Sequence, residues 1–159
     1  MRAVTFAFCI VSGLVCTSIA QAEELHPKPS LSPQQVVETV LNALANNDQP
    51  FPDAGIETTF RFAAPSNKQV TGPIERFKIL VKNDTYRDLI GHERYEIAKS
   101  VVGEFSAYVP VSLWTEDGRN VGFMFRLGKQ SQEPYEGVWM TEAVFPIDIK
   151  KAKIPGVSA

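Results

Sequence analysis

Apolar positions first fall into register at Leu31-Ser32-Pro33-Gln34-Gln35-Val36-Val37. Ser32 suits an N-cap, Pro33 the first helical position and Gln35 the far side of a capping box. Leu31 and Val36 occupy the two ends of a hydrophobic staple. Val37, Val40, Leu41 and Leu44 then share one stripe at helical spacing, which predicts a helix over 33–46 ended by Asn46-Asn47-Asp48 and Pro50. Residues 51–55 read as a loop and 56–63 as a short helix or turn that gathers Ile56, Phe60 and Phe62; Ala64-Pro65-Ser66-Asn67 breaks it. Thr71 is placed to cap a second helix, with Pro73 in its first turn, Glu75 at the positive end of its dipole and Ile74, Phe77, Leu80 and Val81 as its stripe. Asp84 is placed to cap one more turn carrying Tyr86, Leu89 and Ile90, with Gly91 as a left-handed stop.

Beyond Gly91 the period drops to two. Tyr95 and Ile97 alternate with polar residues, and Gly103 marks a bulge or bend. Phe105, Ala107, Val109, Val111 and Leu113 form one apolar row of a long strand, and Val121, Phe123, Phe125 and Leu127 form the row of the next. A turn at 131–134 leads into a last strand over 137–145. Helices first and an antiparallel meander after them predict an α+β domain with N-terminal helices packed on one face of the sheet.

The turn between the long strands decides their faces. A two-residue Asp117-Gly118 loop sets Leu113 opposite Gly122 and sends the two apolar rows to opposite sides. A three-residue loop, Glu116-Asp117-Gly118 with Gly118 left-handed, pairs Leu113 with Val121, Val111 with Phe123 and Val109 with Phe125. Burying each such side chain contributes about 1.5–3 kcal/mol, which selects the second register. Tyr108, Ser112, Trp114, Gly122, Met124 and Arg126 then point outward. Aromatics, methionine and arginine are enriched at interfaces, so Tyr108, Ser112, Trp114, Met124 and Arg126 are expected at a homodimer interface with Trp114 near its centre. The alternative is that the tail after Ile147, or the strand near Tyr95, covers this face within one chain.

The first residues follow another pattern. Met1-Arg2 is positive, residues 3–15 are mostly apolar, and Ala20-Gln21-Ala22 is a small-x-small cleavage site, the order of a secretory signal peptide. Thr5, Ser12 and Gly13 interrupt a run already too short to span a bilayer. Cleavage after Ala22 is expected, with export to a periplasm or to the medium. Lipid anchoring at Cys16 is the weaker reading, because Val15 stands where an acylation signal carries a small residue. The expected organisation is a signal peptide over 1–22, a flexible leader over 23–31 with Pro27 and Pro29, one domain over 32–148 and a basic tail over 149–159 with Lys150, Lys151 and Lys153. Both cysteines, Cys9 and Cys16, fall in the signal. The exported domain therefore has no thiol, which excludes disulfides, thiolate metal sites and cysteine nucleophiles. Net charge is −2 with no basic stripe among aromatics, which argues against nucleic acid as a partner.

Phe60-Arg61-Phe62-Ala63-Ala64-Pro65-Ser66-Asn67, Thr71-Gly72-Pro73, Arg76-Phe77, Tyr86 and Gly137-Val138-Trp139-Met140 together resemble a family of unknown function in the nuclear-transport-factor-like, cystatin-like superfamily. The resemblance spans residues 33–145. It implies a curved sheet wrapped around helices as a cone, sometimes hollow at its wide end. That superfamily holds isomerases, dehydratases, binding modules and structural dimers, so the shape alone selects no activity.

Candidate chemistry is sparse. The inward row, Phe105 included, carries no proton-transfer group. Of the two histidines, His26 lies in the leader and His92 follows Gly91 beside Glu93 and Arg94. His92 with Tyr86 is the candidate acid–base pair. Asn67, Arg76 and Trp139 are candidate ligand-binding residues; Asn67 and Thr71 also suit turn and cap hydrogen bonds, and Trp139 also suits the core. No carboxylates stand at metal-ligand spacing, and no phosphate loop, nucleophile elbow or zinc-protease motif occurs, so neither metal nor cofactor is expected. The reading is an exported, non-enzymatic module that binds a small apolar ligand or a protein partner. Its rivals are an isomerase- or hydratase-type enzyme using Tyr86 and His92, and a homodimer with no ligand.

Overall fold

The computed structural model describes residues 25–149. The expected signal peptide with its Ala22 cleavage site, and the tail lysines from Lys150 onward, lie outside the described residues. The first helix, α1 (Pro33–Ala45), starts at the capping box: Ser32 Oγ accepts from the Gln35 amide at 3.2 Å and Gln35 Oε1 from the Ser32 amide at 2.9 Å. It buries Val36, Val37, Val40, Leu41 and Leu44. Three shorter helices follow, α2 (Ala54–Arg61), α3 (Pro65–Thr71) and α4 (Ile74–Val81), and then a 3₁₀ turn, Arg87–Leu89.

Two local expectations fail here for a readable reason. α2 ends before Pro65 as expected, but Pro65, with Ala64 extended as N-cap, itself starts α3, because proline at the first helical position loses no hydrogen bond. Thr71 therefore closes α3, donating its hydroxyl to Asn67 O at 2.9 Å, and α4 is capped by Pro73 instead. The turn after α4 is held by Asn83, whose Oδ1 accepts from the amides of Thr85 and Tyr86, and not by Asp84.

The strands β1 (Arg94–Ile97), β2 (Val101–Val102), β3 (Ser106–Trp114), β4 (Asn120–Lys129) and β5 (Trp139–Ile147) make one open antiparallel sheet in the order β1-β3-β4-β5, with β2 also on β3. The architecture is α+β. Leu113 pairs with Val121, Val111 with Phe123 and Val109 with Phe125, the register of the three-residue loop. Gly118 has φ 80°, the left-handed conformation that this loop demands. Thr115 and Arg119 close the loop through a backbone bond of 3.0 Å. Arg119 braces it against the 3₁₀ turn, donating to both Asp88 oxygens (2.7 and 2.9 Å) and, through Nε, to Asp117 (2.7 Å). The Thr115 hydroxyl and then Arg119 hold the Asp117 carboxyl down at about 2.

The inward rows pack under α1, with Ala107, Val109, Val111, Leu113, Phe123, Phe125 and Leu127 at 2% exposure or less. Phe105 is a correction: it is 65% exposed. The alternation runs past the end of β3 into the turn closed by Gly103 N–H on Ser106 O, where the backbone leaves the pleat and the side chain leaves the core with it.

Candidate functional site

Residues 62–64 tie the helices to the far edge of the sheet. Thr141 N–H donates to Phe62 O (2.9 Å) and Ala64 N–H to Thr141 O (2.8 Å), so the chain pairs with β5 for one step before Pro65 turns it into α3. The helix then runs along that edge without burying a residue, and α4 buries only Phe77 and Val81. The space left between α2–α4 and β5 is a cavity of about 420 Å³. Val40 and Leu44 of α1 and Phe125 of β4 reach its lining; Phe77, Leu80, Val81, Leu89 and Val144 add more apolar wall.

Its polar lining is mostly committed. Asn67 Nδ2 donates to Glu142 O at 2.9 Å and Tyr86 Oη to Val144 O at 3.2 Å, so two side chains stand in for a missing strand along the edge of β5. Tyr86 also stacks on Phe123, with 6.5 Å between ring centroids. The Thr71 hydroxyl is used within α3 and the Thr59 hydroxyl on Gly55 O at 2.9 Å. The charged lining residues, Arg126 and Glu142, form an ion pair at 3.3 Å in which Arg126 Nε makes no hydrogen bond among the described residues. Thr141 differs: it is 6% exposed, and its hydroxyl has no hydrogen-bond partner among the described residues.

Tyr86 and Asn67 line the cavity, whereas Arg76, Trp139 and His92 do not. Arg76 is exposed, with its side chain over Gly72. Trp139 is buried in the main core at 8% exposure. His92 is 4% exposed, with Nδ1 on Leu89 O at 2.9 Å and its ring edge-on to Tyr95 at 5.8 Å. Burial pushes its pKa below the usual histidine range, an effect opposed by the Leu89 carbonyl. The Tyr86 hydroxyl is thus spent on a carbonyl of β5 while His92 keeps the company of Tyr95. No three His, Cys, Asp or Glu side chains converge on a metal-sized point among the described residues.

The outer face is partly covered. Arg94 lies over the Trp114 ring at 3.4 Å, Ser112 pairs with Glu96, and Ile147 and Ile149 crowd Gly122. Met124 and Arg126 are half-buried, while Tyr108 is 41% exposed. Beside them on this face are Val101, paired with Tyr108 and 49% exposed, and Phe145, paired with Met124 and 38% exposed. Neither was singled out from the sequence, although strand pairing puts both next to residues that were. Thr141 was missed too; its one sequence signal is a polar residue two places after Trp139 on the inward row of β5. Comparison with family models, with curated proteins and with solved structures finds no match to this chain.

Proposed function

We propose that this is an exported, non-enzymatic binding module of the cone-shaped nuclear-transport-factor-like kind, which takes a small apolar ligand in the cavity beside β5. The observation that carries this reading is the preformed cavity of about 420 Å³ with mainly aliphatic and aromatic walls, the usual character and size of a small-molecule site. A filled interior would have removed it. The isomerase or hydratase alternative needs a proton-transfer pair facing the ligand, and Tyr86 lacks His92 as its neighbour there. Titration with the neutral fluorescent probe N-phenyl-1-naphthylamine tests the binding reading. Saturable one-site binding with a blue shift is expected, and Leu80→Trp, which fills the cavity from α4, should abolish it. No binding to the wild type, or equal binding to Leu80→Trp, overturns the proposal.

Exposure of Val101, Tyr108 and Phe145 on one face favours a second reading, a two-fold homodimer through the outer sheet. Light scattering at about 50 µM, a concentration chosen to catch contacts of micromolar strength, should give a dimer that Tyr108→Glu or Met124→Glu dissociates. A monomeric wild type removes this reading. The proposed export predicts a secreted form beginning at Glu23 by intact mass, and a form beginning at acylated Cys16 would refute it.

A further inference from the structure

We infer that the cavity selects an uncharged ligand and holds it by one acceptor oxygen, a carbonyl or an ether, through the hydroxyl of Thr141; this rests on the binding-module reading above. Two observations carry the inference. The first is charge. Arg126 and Glu142, the charged residues of the lining, neutralise each other at 3.3 Å. A carboxylate or ammonium entering among Phe77, Leu80 and Val144 gives up its hydration with no opposite charge free to replace it.

The second is the supply of donors. One N–H of Asn67 and the hydroxyls of Thr71, Thr59 and Tyr86 are already given to backbone carbonyls. Ser66 is exposed at the rim, where water serves it. Thr141 is the neutral exception, a buried hydroxyl in the lining without a partner among the described residues; the other unpartnered donor, Arg126 Nε, belongs to the ion pair with Glu142. Such a group costs free energy for as long as it stays unpaired, and a ligand that brings an acceptor recovers that cost. Its oxygen is enclosed in the wall, so Thr141 must step to another staggered χ1 rotamer when a ligand enters, a move that leaves the backbone of β5 in place. The resulting site is an apolar body pocket with a neutral hydroxyl donor supplied by β5.

Three probes with a common ring system separate these terms: 6-propionyl-2-dimethylaminonaphthalene, 2-dimethylaminonaphthalene without the carbonyl, and 6-dimethylamino-2-naphthoate. Each is titrated at pH 7.5 into the wild type, Thr141→Val, which is close to isosteric, and Thr141→Ser, which keeps the hydroxyl. The expected result is that Thr141→Val weakens the ketone about fivefold, the effect of losing one neutral hydrogen bond. The probe without a carbonyl should change less than about twofold, and Thr141→Ser should behave as wild type. The carboxylate should bind at least about tenfold more weakly than the ketone. Equal effects of Thr141→Val on ketone and parent, or a carboxylate that binds as tightly as the ketone, overturn this inference and leave the cavity reading standing. Failure of all three probes to bind the wild type removes both.

Discussion

One face of one sheet is covered in two ways. Across β3, the middle of the core and part of β5 lies α1, thirteen residues long, with Val36, Val37, Val40, Leu41 and Leu44 at 1% exposure or less. Along the edge of β5 lies α3, which buries nothing, and behind it α4, packed on α2 and α3, buries two side chains. The first half is filled. The second keeps a cavity of about 420 Å³. The difference does not come from a special lining, since Val40, Leu44 and Phe125 belong to both halves. It comes from what holds each helix to the sheet. Apolar side chains draw α1 onto the sheet, whereas polar bonds from Asn67 and Tyr86 to the carbonyls of β5 fix a distance at its edge and leave a gap behind them.

The largest test of that contrast is a matched pair of truncations. Leu41→Ala, in the filled half, should cost about 2–5 kcal/mol by denaturant unfolding, because it opens a void in packed surroundings. Leu80→Ala, on a half-buried wall that already faces empty space, should cost less than about 1.5 kcal/mol, closer to the transfer term alone. Similar losses would mean that the two halves are packed alike. Next come the polar ties. Tyr86→Phe keeps the ring on Phe123 and removes only the hydroxyl, and Asn67→Ala removes the other bond; each should cost about 0.5–1.5 kcal/mol. Both should change probe affinity, while Leu41→Ala leaves it unaltered among folded molecules.

The smallest effect is a pH slope that belongs to the filled half, where His92 meets Tyr95 and Tyr95 Oη reaches Asn42 of α1 at 3.1 Å. The folded pKa of His92 lies below the ordinary 6.5, so the unfolded chain binds the proton more readily. Its contribution is complete above about pH 6.5 and is lost as pH falls through the folded value. Stability should therefore decline between pH 7 and 5, and His92→Gln should flatten that decline. A bound probe should raise stability at every pH without altering the slope. Asp88 and Asp117, both held below the usual carboxylate value of 3.8 with Arg119 beside them, act in a separate window: their contribution holds above about pH 4 and fades in stronger acid.

The filled half was largely legible in the sequence and the hollow half was not. Ser32, Pro33, Gln35 and the Val36–Leu44 stripe specify α1 by local chemistry, and a period of two with Gly118 fixes the β3–β4 register. These signals act between neighbours in the chain. Pro65 is ambiguous at that range, since the same residue ends one helix and starts another. The cavity is a gap between elements distant in sequence, and no residue encodes a gap. Tyr86 and Asn67 were both named as candidates from the sequence, but their partners are backbone carbonyls that become neighbours only in the fold. Arg76 and Trp139 were named as candidates beside them and went elsewhere, one to solvent and one to the core.

The position of α1 in the chain also has a consequence in time. This helix is made before the strands that cover it, β3 and β5, which lie later in the chain. Until they arrive, its apolar stripe has no partner, and a helix of thirteen residues is marginal alone in water. The β3–β4 hairpin closes over a three-residue loop, so its cost in chain entropy is small, whereas docking of α1 closes a loop many times longer. During refolding, pulse-labelled hydrogen exchange should find the amides of β3 and β4 protected before those of α1; simultaneous protection would contradict that order. For a nascent chain, Val36, Val37, Val40, Leu41 and Leu44 are thus the surface that stays exposed longest, and the one a holding chaperone would meet first.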